Sequence, residues 1–444
     1  MKGPDLKQLG EKPPIFRINL SLPPAERYVA LATLYRDRMR SLRGMFDELI
    51  TSISPKIPIR LIHKIAWLCL RKLHTREETE ELRGISRATD IDMYLLICLN
   101  TVLDLLMGCT SGGVRVRSGT SGTKMLHFRT LDWGMDPLRD LIVQLEFIRD
   151  GDPKVVATSI SYVGFVGVLT GVRRDLSVSL NFRPVHDTTR NCAFYANHIF
   201  VLLGLRQSIS SLLRQCLLLP EPDARGKKSL SSNLADIVAN IPHIPTTAAY
   251  LIFCDGSSTV TMEKDHRTAV VSSSSAFIVT TNHDQQPGSA PPEVVANAKR
   301  KNHIGLSLLS DEVQDLADLI EDSNERRECM QSCWDRETRK QNEIAGQAPT
   351  RKQAQSFAEP SGPRSSLRLR KRREEEQIKE EAEQRRIAAL NLDDDSGIAV
   401  TEIQVLSWLT TFPVLNETTH YATIMDPSRG EVAWVRKYDA SEWD

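Results

Sequence analysis

Residues 114–134, VRVRSGTSGTKMLHFRTLDWG, alternate in period two on either side of a Gly/Ser/Thr turn. That pattern predicts an antiparallel hairpin. Folding the two segments back on each other fixes what lies at their open end. Cys109, which follows Gly108 and the apolar stretch Leu95–Met107, comes to the start of one strand, and Arg129 and Asp132 to the end of the other. A thiol beside a guanidinium and a carboxylate is the arrangement of an activated nucleophile. The same spacing also describes a buried structural cysteine near a surface ion pair, and the pattern alone leaves both open.

The strand period continues in LIVQLEFIRDG, VVATSISYVGFVGVLTGV and LSVSLNFRP, and returns in AAYLIFCD, STVTMEKD and SSAFIVTTNHD. Helical patterns lie between, in NHIFVLLGLRQSISSLLRQCLL and SLSSNLADIVANI. Upstream, Ile15–Leu20 alternates as a strand, and LPPAERYVALATLYRDRMRSLRGMFDELI enters a helix through its prolines. Residues 57–71 form an amphipathic helix with a basic edge, read either as core-facing or, with Trp67 and its flanking cations, as a lipid-contacting surface. A further helix is expected from about Asp90 to Leu106. Strands, then helices, then strands predict sheets covered by helices.

The 444 residues carry 57 basic and 57 acidic side chains, which offers no electrostatic footprint for nucleic acid. No window reaches the length of an apolar membrane span, and the first residues lack the apolar core of a signal peptide, so a cytoplasmic or intracellular, membrane-associated location is expected. Eight scattered cysteines make no zinc pattern, and neither a metal nor a cofactor is expected. Between about Cys333 and Ala399 the composition breaks into basic and acidic blocks nearly free of aromatics, read as a disordered or locally helical insert. The chain closes with HYATIMDPSRGEVAWVRKY, a hairpin signature.

Four segments in order then carry a resemblance: PPIFRINLSLPPAERY, CTS followed by RTLDWG, TTNHD, and PVLNETTHYATIMDPSRGE. Together they resemble the acid ceramidase and N-acylethanolamine acid amidase family of N-terminal nucleophile cysteine hydrolases, which are choloylglycine-hydrolase-like. The resemblance implies an α+β fold, a four-layer αββα sandwich with an N-terminal helical chain. It divides the sequence into 1–108 (strand plus helices, an alpha chain after self-cleavage), 109–330 (catalytic core), 331–399 (charged insert) and 400–444 (C-terminal helix and hairpin completing the core).

It also implies scission between Gly108 and Cys109, leaving an alpha/beta heterodimer. Cys109 would be the nucleophile and, through its freed α-amine, the base. Asp132 would orient it and hold the amine, Arg129 would fix the thiol and the reacting carbonyl, and Asn282 would donate to the oxyanion. Arg327 is the expected match to the family's late arginine, with Arg326 the alternative register. Tyr162, Phe165 and Val166 are expected to line an acyl channel, although a sheet core explains the same run. The expected activity is amide hydrolysis of a long-chain N-acyl lipid, ceramide first and N-acylethanolamine second, with possible peripheral membrane contact and no nucleic acid. Other amides within the same fold, or a non-catalytic partner-binding homologue, are the alternatives. Thr130 departs from the family's usual asparagine, and the missing leader and bridged cysteines put a lysosomal location in doubt.

Overall fold

A computed structural model describes residues 10–41, 44, 47, 58–102, 108–119, 122–184, 191–219, 233–285, 316–344 and 397–443. Two sheets organise it. The larger runs in the order β1 (Ile15–Asn19), β4 (Ile142–Arg149), β5 (Asp152–Tyr162), β6 (Thr170–Arg173), β7 (Leu176–Phe182), β8 (Ala249–Cys254), β9 (Thr259–Lys264) and β10 (Ala269–Ser274). The smaller runs β11 (Phe277–Thr280), β2 (Gly108–Ser118), β3 (Gly122–Asp132), β12 (Thr419–Asp426) and β13 (Glu431–Lys437). The expected hairpin is β2–β3, with Cys109 opposite Leu131 and Ser111 opposite Arg129.

The sheets face one another, β2 lying against β7 and β9, and β3 against β8. Helices flank both. Helix α7 (Ile209–Leu217) covers β6 and β7, while α9 (Leu316–Ile344) and α10 (Glu402–Leu409) cover the smaller sheet. The architecture is thus mixed α/β, with two sheets and flanking helices. Covering by β2 on one face and α7 on the other explains why β7 is buried almost throughout although its sequence alternates. The sheets approach closely at Gly113, where a Cβ would collide with the Thr259 side chain on β9. At neighbouring Gly112 a Cβ would strike the Ile278 carbonyl on β11. Glycine at these two positions is a packing requirement.

The residues before Gly108 are built into this body. β1 adds to the edge of the larger sheet as its one parallel pair, beside β4. Helices α1 (Val29–Leu34), α2 (Arg36–Ser41), α3 (Ile59–Cys69), α4 (Arg76–Thr89) and α5 (Met93–Val102) follow. Helix α4 was not expected from the sequence. Its buried face carries Glu78, Thr79 and Glu81 as well as Leu82 and Ile85, so no clean apolar stripe announces it. Its ends are well marked: Thr75 accepts from the Glu78 N–H, and Asp90 closes the helix at φ 59°. The charged face meets partners. Arg214 of α7 grips Glu81 with contacts of 2.5 and 2.7 Å, Arg27 adds a third at 3.0 Å, and Ser211 donates to Glu78 at 2.7 Å.

The expected insert begins as helix: α9 continues past residue 331 to Ile344, held by Met330 and Trp334 on its buried side. At its far end Ile398–Val400 are buried, and Val400 bridges to Val116. The rest of the expected insert lies outside the described residues. So do residues 103–106 of the expected Asp90–Leu106 helix, which begins at Met93 as α5.

Replacing Glu81 removes the carboxylate that the buried Arg214 grips at 2.5 and 2.7 Å, and leaves Arg214 and Arg27 only the exposed Glu77. Glu81→Gln is expected to destabilise the chain by about 3 kcal/mol or more, read as a lowered unfolding midpoint in urea. An unchanged midpoint would contradict this reading of the cluster.

Candidate active site

Alternation along β2 sends its side chains to opposite faces. Cys109, Ser111 and Gly113 point toward the larger sheet: Cys109 Sγ lies 3.8 Å from the Leu180 carbonyl, and Ser111 donates to Asn181 Oδ1 at 2.7 Å. Thr110 points the other way, toward α9. Arg129 shares the inter-sheet face with the thiol. Its Nη2 lies 3.3 Å from Sγ, and its Nη1 donates to the Leu169 carbonyl at 2.7 Å. The Nε of this fully buried arginine has no hydrogen-bond partner.

Asp132, three residues on, falls on the α9 face. One carboxylate oxygen accepts from Thr419 at 2.8 Å and the other from Arg326 at 3.0 Å. Arg326 also donates to Asn282 Oδ1 at 3.1 Å and to Thr110 at 3.3 Å. Asn282 Oδ1 in turn accepts the backbone N–H of Cys109 at 2.9 Å. The nitrogen and sulfur of Cys109 therefore belong to two converging networks, one on each face of β2. Thr130, where the family usually has asparagine, reaches Asp132 only at 3.5 Å.

The late arginine is corrected by one residue. Leu319, Ser323, Arg326, Met330 and Trp334 form the buried stripe of α9 at helical spacing. That stripe turns Arg326 into the cluster, with 1% of its surface exposed, and leaves Arg327 half-buried on the adjoining flank. Asn282 also differs from expectation in its bonds. Its Nδ2 donates to the Phe182 carbonyl at 2.8 Å, while its oxygen takes the Cys109 N–H. Its backbone N–H donates to Ser323 Oγ at 2.7 Å, tying the segment to α9 one turn before Arg326. Thr419 and Ser323 carry no sequence signal of their own. An added Cβ at Gly108 would meet Asp132 Cβ at 3.4 Å, an ordinary contact, so crowding does not explain that glycine.

Tyr162, Phe165 and Val166 are core residues here. All three are buried, the Tyr162 hydroxyl lies 2.8 Å from His420 Nδ1, and the Val166 N–H donates to Asn100 Oδ1. The sheet-core reading is the one this conformation takes. The histidines have other partners: His127 lies between Ser177 and Ser179, His283 beside Ser323, and His198 on the Phe194 carbonyl. Burial lowers the pKa of His127 to about 3 and of His283 to about 4, so both are neutral at physiological pH.

Burial also pushes the Cys109 thiol up to about 11, against the opposing pull of Arg129. Burial raises the Asp132 pKa as well, opposed by Arg326. The uncleaved site is closed and its thiol protonated. Among the described residues, no group of His, Cys, Asp and Glu is arranged to hold a metal.

With this geometry in place, similarity to known proteins is informative. Residues 11–74 match the family model for the beta subunit of N-acylethanolamine-hydrolyzing acid amidase. The acid ceramidase of Pan troglodytes is 31% identical over 189 residues, 38% of this chain and 45% of that protein. The acid ceramidase of Homo sapiens is 30% identical over the same span. The chain matches the acid ceramidase and N-acylethanolamine acid amidase family. A probable acid ceramidase of Caenorhabditis elegans is 25% identical over 212 residues, 44% of this chain and 51% of that protein. The chain thus spans about half the length of the curated family members it matches. The solved structure of the Caenorhabditis elegans N-acylethanolamine-hydrolyzing acid amidase ortholog aligns over 72% of this chain and 93% of its own, at 16% identity and a TM-score of 0.37.

Two predictions follow from the geometry. Arg326→Met, which strands a buried Asp132, should cost about 3 kcal/mol or more, whereas Arg327→Met should cost less than about 1 kcal/mol. Urea unfolding of both variants checks the register; equal losses would refute it. In the uncleaved chain, iodoacetamide should modify exposed Cys69 and Cys192 well before Cys109. The thiolate fraction of Cys109 should rise about tenfold per pH unit up to about 11. Rapid labelling of Cys109 near neutral pH, read by peptide mass mapping, would contradict a buried, protonated thiol.

Proposed function

We propose that this chain is a self-processing cysteine amidohydrolase that cleaves the amide bond of a long-chain N-acyl lipid through a thioester. One observation carries the reading. The first strand residue after Gly108 is a cysteine whose sulfur is within 3.3 Å of a buried guanidinium, while its own nitrogen is held by an asparagine oxygen.

In this reading the Cys109 sulfur attacks the Gly108 carbonyl carbon. The C–N bond breaks, the nitrogen takes a proton to become the α-amine of Cys109, and a Gly108 thioester remains. Water hydrolyses the thioester, releasing the Gly108 carboxylate and restoring the thiol. The new α-amine, with a reference pKa near 7.7 to 8.0, is then the base the thiol lacked. Asn282 Oδ1 already occupies the position to hold that nitrogen. Arg129, through its unpartnered Nε, is a further donor to a developing oxyanion beside Asn282 Nδ2, one of whose two hydrogens goes to the Phe182 carbonyl. Asp132 acts through Arg326, keeping its guanidinium on Asn282. An amide substrate would follow the same course, forming an acyl-enzyme and releasing an amine.

The flanking helices support the finer fold reading, a four-layer αββα sandwich with α7 and α9/α10 as outer layers. The N-terminal chain supplies β1 and the Glu81 cluster, so the two chains would stay associated after scission. Ceramide is the first-choice substrate, in keeping with the activity named in the similar acid ceramidases; N-acylethanolamine is second, in keeping with the family model. Peripheral lipid contact is supported by exposed Leu61, Ile65, Trp67 and Leu68 on α3, and by Tyr195 and Ile199 on α6 (Asn191–Leu202).

The test is denaturing-gel and intact-mass analysis of wild type beside Cys109→Ala, incubated between pH 4 and pH 8. A fragment starting at Cys109 in wild type alone is expected, followed by hydrolysis of long-chain amides. A wild type that stays intact throughout would overturn the proposal.

A further inference from the structure

Helix α9 carries two cysteines one turn apart, Cys329 and Cys333, and the site described above uses neither. At a spacing of four their side chains stand on one face of the helix, with Cβ atoms about 5–6 Å apart. Both are half-buried, packed at the edge of the apolar cluster that holds Met330, Trp334 and Trp408. The two thiols meet. Cys329 keeps its proton and donates it toward the Cys333 sulfur. That hydrogen bond pushes the Cys333 thiol down to about 7, against burial and the Glu337 charge and with the Arg336 charge.

An ionisable sulfur held beside a protonated one is the arrangement of a redox-responsive pair, in which one thiol attacks and the other resolves. Among the described residues no third His, Cys, Asp or Glu joins the two in an arrangement that would hold a metal. Two thiols without a third ligand suit a two-electron oxidation. The place of the pair on α9 gives such a reaction its leverage. In a continuous helix the N–H groups of residues 329–333 bond to the carbonyls of residues 325–329, so Arg326 shares backbone bonds with this turn. Trp334, next to Cys333, stacks on Phe277 of β11 with ring centroids 5.2 Å apart. A disulfide needs its Cβ atoms about 3.8 Å apart. Closing one here draws the turn together by roughly 1–2 Å. That displacement falls between Arg326 and Trp334, two of the side chains that fix α9 to the smaller sheet.

We infer that Cys329 and Cys333 form a modification site, a dithiol that a peroxide closes into a disulfide, loosening the hold of α9 on the Cys109 cluster. The Cys333 sulfur attacks one peroxide oxygen and the O–O bond breaks. The departing hydroxide takes up the proton that Cys333 had released, leaving water and a Cys333 sulfenic acid. The Cys329 sulfur then attacks the Cys333 sulfur. An S–S bond forms, the S–O bond breaks, and the hydroxyl leaves as water with the Cys329 proton. The thiol pair loses two electrons and hydrogen peroxide gains them. Nothing in this chemistry requires amide hydrolysis.

The test treats the purified full chain with increasing hydrogen peroxide at neutral pH and blocks the remaining thiols with N-ethylmaleimide. Mass mapping without reduction then follows the tryptic peptide 328–336, which carries both cysteines. That peptide should lose two hydrogens and regain them with dithiothreitol. It should do so at about one tenth of the peroxide that oxidises the exposed Cys69 and Cys192. In Cys329→Ser, whose hydroxyl still donates, the same peroxide should leave a Cys333 sulfenic acid that dimedone captures. Iodoacetamide should label Cys109 of the uncleaved chain several-fold faster in the bridged form than in the reduced form, with no such rise in peroxide-treated Cys329→Ser. Oxidation of Cys69 or Cys192 ahead of the pair, a peptide that never bridges, or a bridged chain whose Cys109 labels at the reduced rate would each overturn the inference.

Discussion

The contact between Arg326 and Asp132 is the joint on which the site depends. Both groups are buried, and each is worth keeping there only because the other is present. Through it, α9 is fixed to the open end of the β2–β3 hairpin. The same guanidinium reaches Asn282 and Thr110, so one side chain sets the positions of the asparagine that holds the Cys109 nitrogen and of the strand that carries the thiol. Asp322, one turn earlier on α9, restrains it from the helix side at 2.9 Å. Ser323 adds a second tie to the same segment, which makes the placement of Asn282 doubly determined.

The opposite face of β2 is fixed by packing. Glycine at 113 lets the sheets approach, and beside it Cys109 lies under β7 and Arg129 against the Leu169 carbonyl. The consequence is a thiol that burial keeps protonated, next to a cation that would favour the thiolate. Such a balance suits a latent site, since opening it to water removes the larger of the two terms. The N-terminal segment contributes to the same body through β1 and the Glu81–Arg214 pair. Cutting the chain before Cys109 would therefore free a terminus without removing the structure around it.

Much of this was legible in the sequence, for a physical reason. The hairpin follows from alternation about a Gly/Ser/Thr turn, and its open end necessarily unites Cys109, Arg129 and Asp132. Parity along β3 also separates residue 129 from residue 132, so the thiol's guanidinium and the carboxylate fall on different faces. The stripe Leu319, Ser323, Arg326, Met330, Trp334 contained the choice of Arg326 over Arg327, hidden because two of its members are polar. Helix α4 was missed for the same reason: a buried helix face built from glutamates and a threonine reads as solvent-exposed until Arg214 and Arg27 are brought to it. Asn282's bonds depend on contacts between distant parts of the chain, and no local pattern encodes those.

The central claim is that Cys109 carries the Gly108 acyl group as a thioester. Hydroxylamine added during incubation of the wild-type chain intercepts such an ester. The N-terminal fragment should then end in a Gly108 hydroxamate in place of the carboxylate, and Cys109→Ala should yield neither fragment. Scission that proceeds with only a Gly108 carboxylate under saturating hydroxylamine, or that persists in Cys109→Ala, would contradict the account.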